Sequence, residues 1–280
     1  AVNYFDPSLP DPPPMKHAGP PDPFVRNATP IRSVPEGYYA TDAFTDHAVE
    51  QIRTLSRAGR PFFLHLAYTA PHYPLQALPQ DIAKYRGRYR NGYEFLRKER
   101  YRRLVELDLI SGDWKLPDPD RKLGPWRYDL EPQAWGSLAD PGWESAKMEV
   151  YAAMVDRMDQ GIGRVLGALQ EGGAEKDTLV VFCSDNGGCA SASSAAAYEA
   201  YRNGVPSGSK ETYILGGPGW ATAQSSPFRR FKTWTYEGGI ATPMIVRWPG
   251  KIKANSRTCA LGHLVDLLPT FLDVSGVSYP

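Results

Sequence analysis

Apolar residues recur at helical spacing in three stretches of the chain, and three short, mostly apolar runs lie between them. Residues at i, i+3 and i+4 line one face of a helix, which predicts helices over 41–57, 146–171 and 264–274. The short runs predict buried strands over 61–68 and 178–185 and a third strand, bounded by prolines, over 242–249. Helices and strands in this order are typical of an α/β fold. We therefore expect a central mixed or mainly parallel sheet with helices on both faces.

The segments between these elements differ in character. Residues 1–37 are rich in proline and are predicted to form an extended loop. Residues 79–145 are the least regular part, and we interpret them as an insertion that carries one basic helical stretch around 93–109. Residues 189–227 are small, polar and rich in glycine, which predicts a long surface loop. We expect the segments 79–145 and 189–227 to select the substrate.

The composition excludes several classes of function. The 280 residues are 42% hydrophobic and 22% charged, as in ordinary globular domains. A net charge of +1 gives no reason to expect nucleic acid or an anionic membrane as a partner, and no apolar run is long enough to span a bilayer. The chain contains no serine-hydrolase elbow, P-loop, dinucleotide fingerprint or zinc-protease motif. The 7 Trp and 16 Tyr residues suit either a surface that handles sugars or an aromatic core.

A turn at the end of the second predicted strand combines oxygen ligands with glycine. Asp185 and Asn186 are followed by Gly187 and Gly188. A carboxylate and an amide oxygen are ligands that Ca²⁺ and Mg²⁺ prefer, and glycine allows positive φ and close approach of another backbone. The same four residues also make a good turn without any metal. Two ligands do not complete a coordination shell, so a metal here needs partners from elsewhere.

Two further side chains are candidates for binding an anion. His72 lies between two prolines in the loop after the first predicted strand, where it can donate a hydrogen bond to an anion or act as an acid; a packed or surface histidine is the alternative. Lys232 lies among aromatic residues and can hold an anion, although a lysine that rests its stem on apolar groups is the commoner case. His263 and Asp266 instead predict a hydrogen bond at the start of the last helix.

The order of these blocks is more specific than any one of them. The chain resembles the formylglycine-dependent arylsulfatases, of the alkaline-phosphatase-like superfamily, over about 36–76 and 146–280. The resemblance rests on five blocks in the family's order: PFFLHLAYTAPHYP, YAAMVDRMDQGIGRVLGAL, TLVVFCSDNGG, PFRRFKTWTYEGGIATPMIVRWPG and HLVDLLPTFLDVSG. An alkaline-phosphatase-like α/β fold is therefore expected.

The resemblance implies a role for each candidate residue. It makes Asp185 and Asn186 ligands of a divalent cation, usually Ca²⁺, with Mg²⁺ as the alternative. It makes Lys232 a sulfate-binding residue and His72 a sulfate contact that assists the leaving group, so that both are catalytic and substrate-binding. Cleavage of a sulfate ester requires anionic oxygens to be neutralised and a departing alkoxide or phenoxide to be stabilised. A cation, a lysine and a histidine do this electrostatically.

The resemblance also implies features that we expect in a segment preceding Ala1. Family members carry an N-terminal Cys- or Ser-x-Pro-x-Arg motif whose first residue becomes formylglycine, the source of the nucleophile, together with an aspartate pair and a Lys-x-His sulfate clamp. Cys183, Cys189 and Cys259 lack the Pro and Arg of that motif. We therefore expect residues 1–280 to be a partial sulfatase domain, truncated at the N-terminus and inactive alone, with its DNGG and EGG blocks in 146–280.

Three functions are open at this stage. The first is hydrolysis of a sulfate ester in a small molecule or a glycan. The second is hydrolysis of a phosphoester or phosphonate by another member of the same superfamily, and the third is non-catalytic binding of an anion or glycan. From the family alone we expect a periplasmic or extracellular location. We also expect the apolar surface of a truncated sheet to pair with a second copy of the chain, as a homo-oligomer, or to cause aggregation.

Overall fold

The structure, a computed structural model, describes residues 25–26, 29–31, 33–119 and 132–278. Most of the Pro-rich segment predicted as a loop over 1–37 lies outside these residues. The described part of it contains a short antiparallel pair, β1 (Val25–Arg26) and β2 (Thr29–Pro30). Within the described ranges, no helix is both long and apolar enough to cross a membrane.

Helices are the main regular structure of the described part of the chain. Its helices are α1 (Ala40–Arg57), α2 (Pro79–Ala83), α3 (Gly92–Glu106), α4 (Pro141–Glu171), α5 (Ala195–Arg202), α6 (Pro218–Gln224), α7 (Glu237–Ile240) and α8 (Leu267–Ser275). Short 3-10 helices cover Trp135–Ser137, Glu175–Asp177 and Leu264–Asp266. The strands that follow β2 are β3 (Val180–Cys183) and β4 (Met244–Arg247).

Helices α1 and α4 pack side by side, and both were predicted from their apolar spacing. A Cβ on Gly161 of α4 would lie 2.5 Å from Thr45 Oγ1 of α1, so glycine permits this close approach. An ion pair between Arg157 and Asp42, at 2.7 Å, joins the same helices. α4 begins at Pro141 rather than at 146 because Asp140 caps it, accepting a hydrogen bond from the Trp143 N–H at 2.9 Å.

The strands over 178–185 and 242–249 are confirmed as the shorter strands β3 and β4, although the side chains of β3 are half-buried rather than buried. They pair antiparallel, with Val180 opposite Arg247 and Cys183 opposite Met244. Among the described residues the sheets are β1–β2 and β3–β4, both two-stranded and antiparallel. The central mixed or mainly parallel sheet expected from the sequence is therefore not formed within them.

The prediction of a strand over 61–68 is wrong for the described structure. Among the described residues this segment pairs with no strand, although its side chains alternate between exposed and half-buried. Phe62 and Leu64 pack on the α1–α4 cluster. Phe63 is 73% exposed, and its ring centroid lies 5.7 Å from that of Phe271. The alternation of apolar side chains shows only which side of the segment faces the helices. A strand also needs a partner for its backbone hydrogen bonds, and the alternation does not supply one.

Residues 79–145 contain the basic helix predicted around 93–109, which the structure forms as α3. Its buried face meets α6, where the rings of Tyr93 and Trp220 lie edge to face at 5.5 Å. Trp135 completes this aromatic cluster, 5.7 Å from Trp220. Part of the Tyr and Trp content therefore serves the core. That the segment is an insertion stays a prediction.

The prediction of a surface loop over 189–227 is wrong. The segment contains α5 and α6, and α6 is buried, with Trp220 only 1% exposed. Its small residues allow close packing: a Cβ on Gly219 would lie 2.4 Å from the ring of Tyr93. Small side chains were interpreted as a sign of exposure, but here they let helices α3 and α6 approach.

The C-terminal segment begins as predicted, with a hydrogen-bonded cap. The Asp266 carboxylate accepts the His263 N–H at 2.8 Å, and His263 Nδ1 accepts the Val265 N–H at 3.1 Å. Pro269 falls in the first turn of α8, where a backbone N–H has no helical partner. The expected exposed apolar surface is present in Phe63, Met244, Ile245, Val265 and Leu268. That a second copy covers it stays a prediction.

Candidate active site

His72 lies in the loop that follows the extended segment 61–68. It is half-buried between the cis bonds Ala70–Pro71 and Tyr73–Pro74. Its Nδ1 lies 2.8 Å from the carbonyl oxygen of Tyr73. A carbonyl can only accept, so Nδ1 carries the proton and the Nε2 of the neutral ring is an acceptor.

Lys232 meets His72 across the fold. Its Nζ lies 3.4 Å from His72 Nε2, although the two residues are 160 positions apart. Because Nε2 of the neutral ring accepts, the lysine ammonium is the donor. The structure thus brings together the two residues predicted to contact the sulfate. Nothing in the local sequence of either residue indicates this contact.

The loop around Lys232 has an unusual backbone. Arg230 and Thr233 have positive φ angles of 65° and 81°, which is a genuine outlier for a β-branched residue such as Thr233. The guanidinium carbon of Arg230 lies 4.5 Å from the ring centroid of Trp234, an arrangement that favours a cation over an aromatic face. Phe231 is buried and packs with Ala221 of α6. These contacts fix the position from which Lys232 extends.

Asp185 and Asn186 lie in the turn directly after β3. Asp185 is exposed, and its carboxylate has no hydrogen-bond or ion-pair partner among the described residues. Asn186 donates from Nδ2 to the Gly187 carbonyl at 3.0 Å, which leaves its Oδ1 as an acceptor. This pair of oxygens fits a hard cation. Within the described ranges, no group of three or more His, Cys, Asp or Glu side chains is arranged to hold a metal, so the pair is a partial ligand set.

The glycines of the DNGG and EGG blocks are required by close backbone packing. A Cβ on Gly187 would lie 1.8 Å from the Gly238 carbonyl oxygen, and a Cβ on Gly239 would lie 2.0 Å from the Trp234 oxygen. The Gly187 N–H donates to the Gly239 carbonyl at 3.0 Å. Neither Gly187 nor Gly188 has the positive φ that the sequence allowed. Their role is close approach, the other property expected of glycine here.

A backbone hydrogen bond joins the Asp185–Asn186 turn to the lysine. The Lys232 N–H donates to the Gly188 carbonyl at 3.0 Å. The turn also receives two side chains that sequence reasoning missed. Thr242 Oγ1 donates to the Ser184 carbonyl at 2.7 Å, and Ser225 Oγ accepts the Gly188 N–H at 3.1 Å.

Ser225 also begins a spacing that the sequence analysis overlooked. The residues Ser225-Ser226-Pro227-Phe228-Arg229 match Ser-x-Pro-x-Arg. Ser225 is only 8% exposed, however, and its N–H bonds the Ala221 carbonyl at the end of α6. With its hydroxyl on the Gly188 amide, it has a structural position, so we do not interpret this match as the nucleophile motif.

One family model, described as Sulfatase, matches residues 6–277. An uncharacterized sulfatase of Schizosaccharomyces pombe is 33% identical over 255 residues, covering 88% of this chain and 44% of that protein. An arylsulfatase of Klebsiella aerogenes is 30% identical over 254 residues, covering 88% of this chain and 52% of that protein. The chain therefore spans about half the length of the curated relatives it matches.

Two solved structures are similar in fold. The crystal structure of Ps i-CgsB in complex with k-i-k-neocarrahexaose matches with a TM-score of 0.54 and 24% identity, covering 92% of this chain and 38% of that one. A second structure, in complex with its substrate D-glucosamine-2-N,6-O-disulfate, matches with a TM-score of 0.50 and 23% identity, covering 86% and 49%. At these identities the likeness concerns the fold.

Proposed function

The chain belongs to the sulfatase family, and from that premise we propose that the full-length protein hydrolyses sulfate esters, with His72, Lys232, Asp185 and Asn186 in its active site. The observation that carries the proposal is the 3.4 Å contact between Lys232 Nζ and His72 Nε2. It sets a lysine side chain beside a histidine ring, and a turn that presents two free oxygen ligands is hydrogen-bonded to the backbone of the same lysine. An anionic tetrahedral group suits this combination.

Lys232 binds the sulfate group in this proposal. Its ammonium has three hydrogen atoms to donate, so it can contact His72 Nε2 and sulfate oxygens together. The backbone hydrogen bond from the Lys232 N–H to the Gly188 carbonyl, at 3.0 Å, holds the lysine beside the Asp185–Asn186 turn. Because this positive charge is in place before the reaction, it stabilises charge on the sulfate oxygens without rearrangement.

His72 serves the leaving group. Its Nδ1–H is held by the Tyr73 carbonyl, so Nε2 is the atom that exchanges a proton with the substrate. In the neutral ring Nε2 accepts from Lys232. Once protonated it no longer accepts; it instead donates to the departing oxygen, which returns the ring to its neutral form. The hydrogen bond at Nδ1 keeps the ring oriented in both forms.

Asp185 and Asn186 would hold the divalent cation, Ca²⁺ in this proposal and Mg²⁺ as the alternative. When bound, the cation supplies positive charge to neutralise sulfate oxygens. The free carboxylate of Asp185 and the free Oδ1 of Asn186 support this assignment. We propose that the remaining ligands and the formylglycine belong to the N-terminal part of the full-length domain, as the resemblance implies.

The finer expectations from the sequence belong to this proposal as well. They are an alkaline-phosphatase-like domain with a central mixed or mainly parallel sheet, a sulfated small molecule or glycan as substrate, and a periplasmic or extracellular location. The two structural neighbours, solved in complex with a neocarrahexaose and with a glucosamine disulfate, support the choice of a glycan. A homo-oligomer is proposed from the exposed apolar side chains of β4 and α8.

The test compares the full-length protein with Lys232→Ala and His72→Ala variants on an aryl sulfate and the matching aryl phosphate. Loss of one preorganised charge-stabilising group should lower kcat/KM for the sulfate by roughly 10²–10³-fold. Lys253→Ala removes an exposed lysine after β4 and serves as the control. Faster turnover of the phosphate by the wild type would favour a phosphoester hydrolase. Binding of both esters without turnover would favour a non-catalytic anion-binding protein.

A further inference from the structure

The turn that carries Asp185 and Asn186 is hydrogen-bonded on both sides by side chains from distant segments. On the side before Asp185, Thr242 Oγ1 donates to the Ser184 carbonyl at 2.7 Å. On the side after Asn186, Ser225 Oγ accepts the Gly188 N–H at 3.1 Å. Asp185 and Asn186 therefore lie between two fixed points of the backbone.

Thr242 and Ser225 are themselves held in place by β4 and α6. Thr242 precedes β4, and the pairing of Met244 with Cys183 sets it opposite the end of β3. Ser225 follows α6, is almost fully buried, and donates its own N–H to the Ala221 carbonyl at 3.0 Å. Because both residues are fixed in this way, a movement of the turn would break its hydrogen bonds with the two hydroxyls.

The polar side chains of the turn form hydrogen bonds within the turn itself. Ser184 Oγ donates to the Asn186 carbonyl at 3.1 Å, and Asn186 Nδ2 donates to the Gly187 carbonyl at 3.0 Å. The Asp185 carboxylate and Asn186 Oδ1 remain as acceptors. The hydrogen bonds to Thr242 and Ser225 thus fix the backbone of the turn. The hydrogen bonds within the turn use other polar groups and leave these side-chain oxygens available as ligands.

We propose that Thr242 and Ser225 are positioning residues for the divalent cation. They do not ligate it, but they hold the backbone on each side of Asp185 and Asn186 so that the two ligand oxygens converge. This inference rests on the proposed function, in which those two residues hold the cation. Groups that orient metal ligands through hydrogen bonds typically contribute 10–100-fold to metal affinity.

Thr242→Val is the informative change, because valine keeps the branched shape and removes the hydroxyl. Thr178 provides a matched control at the opposite end of β3: it is also half-buried, and its Oγ1 donates to the Ala174 carbonyl at 2.7 Å. Thr242→Ser, which keeps the hydroxyl, is the rescue variant. Ser225→Ala tests the other side of the turn.

The experiment titrates Ca²⁺ into the chelator-treated full-length protein by calorimetry. Thr242→Val and Ser225→Ala should each raise the Kd for Ca²⁺ by about 10-fold, while Thr178→Val and Thr242→Ser should stay within about twofold of the wild type. A wild-type Kd for Thr242→Val would overturn the inference. So would an equal loss in Thr178→Val, because the effect would then be general destabilisation.

Asp185→Ala separates this inference from the proposed function. If Asp185→Ala abolishes Ca²⁺ binding and Thr242→Val does not weaken it, only the positioning role is wrong. If the wild type binds no Ca²⁺, or if Asp185→Ala binds it as well as the wild type, the proposed metal site is wrong and the positioning role falls with it.

Discussion

The carbonyl oxygen of Gly238 occupies the space in which a side chain at Gly187 would begin, 1.8 Å from the position of a Cβ. Two sequence blocks that are 51 residues apart therefore pack against each other through their backbones, with no side chain between them. The Asp185–Asn186 turn owes its position to this contact, and so does the lysine loop that precedes Gly238.

A methyl group at Gly187 should displace the turn. Gly187→Ala is expected to lower the melting temperature and to abolish Ca²⁺ binding and sulfate ester turnover in the full-length protein, because neither backbone can yield without losing its hydrogen bonds. Calorimetry and a turnover assay measure these effects. Gly163→Ala is the control: the site is exposed within α4 with open space around it, so this change should add about 0.5–1 kcal/mol of stability. Wild-type turnover in Gly187→Ala would show that the close contact between Gly187 and Gly238 is not needed for the site.

Ser225 should remain an unmodified serine. Its hydroxyl accepts the Gly188 N–H and its side chain is buried, so it supports the turn and is not accessible as a nucleophile. Mass spectrometry of the peptide that contains Ser225 should give the mass of the encoded sequence, and a hydrazide probe should not label it. Labelling at Ser225 would show that the overlooked Ser-x-Pro-x-Arg match is the nucleophile motif after all.

The stability of the fold should fall in alkaline solution through Tyr89. Burial raises the pKa of Tyr89 from 10.0 to about 12. A pKa that is higher in the folded state means that this tyrosine stabilises the fold fully below pH 10 and progressively less as the pH rises from about 10 to 12. Chemical denaturation at several pH values measures the decline.

Tyr89→Phe removes one titrating group from this interval, so its stability should depend less steeply on pH between 10 and 12 than that of the wild type. The decline should not vanish, because burial also raises the pKa of Tyr151. Identical slopes for the variant and the wild type would contradict the assignment to Tyr89.

The 280 residues alone should neither hydrolyse an aryl sulfate nor bind Ca²⁺ tightly. Two oxygen ligands leave most of a Ca²⁺ shell of 6–8 oxygens unfilled, and the nucleophile is proposed to lie in another part of the domain. Calorimetry and a turnover assay on the isolated chain check both points. Turnover by this chain would refute the proposed division of the site.

The elements that could be predicted from sequence are those whose cause is local. Helices α1 and α4 follow from apolar spacing, and the cap at His263 follows from two polar residues three positions apart. The strand at 61–68 failed because strand pairing depends on a neighbour that the segment itself does not specify. The surface loop at 189–227 failed because small residues such as Gly219 suit close packing as well as exposure.

The candidate site divides in the same way. His72, Lys232, Asp185 and Asn186 were found from the order of blocks that resembles a family, and their roles stay predictions. The contact of Lys232 with His72 spans 160 positions, so no local pattern contains it. Thr242 and Ser225 carry no signal either, because their hydrogen bonds depend on the register of β3 with β4 and on the end of α6.

The long separation between His72 and Lys232 has a consequence for how the protein acquires activity during folding. Contacts between residues far apart in sequence form late, since the entropy of closing a long loop opposes them until much of the fold exists. Helices such as α4 can form early, but the proposed anion site cannot exist until the segments around residues 72, 188 and 232 have met. A partly folded chain would thus be inert, and recovery of activity should be among the slowest signals in refolding.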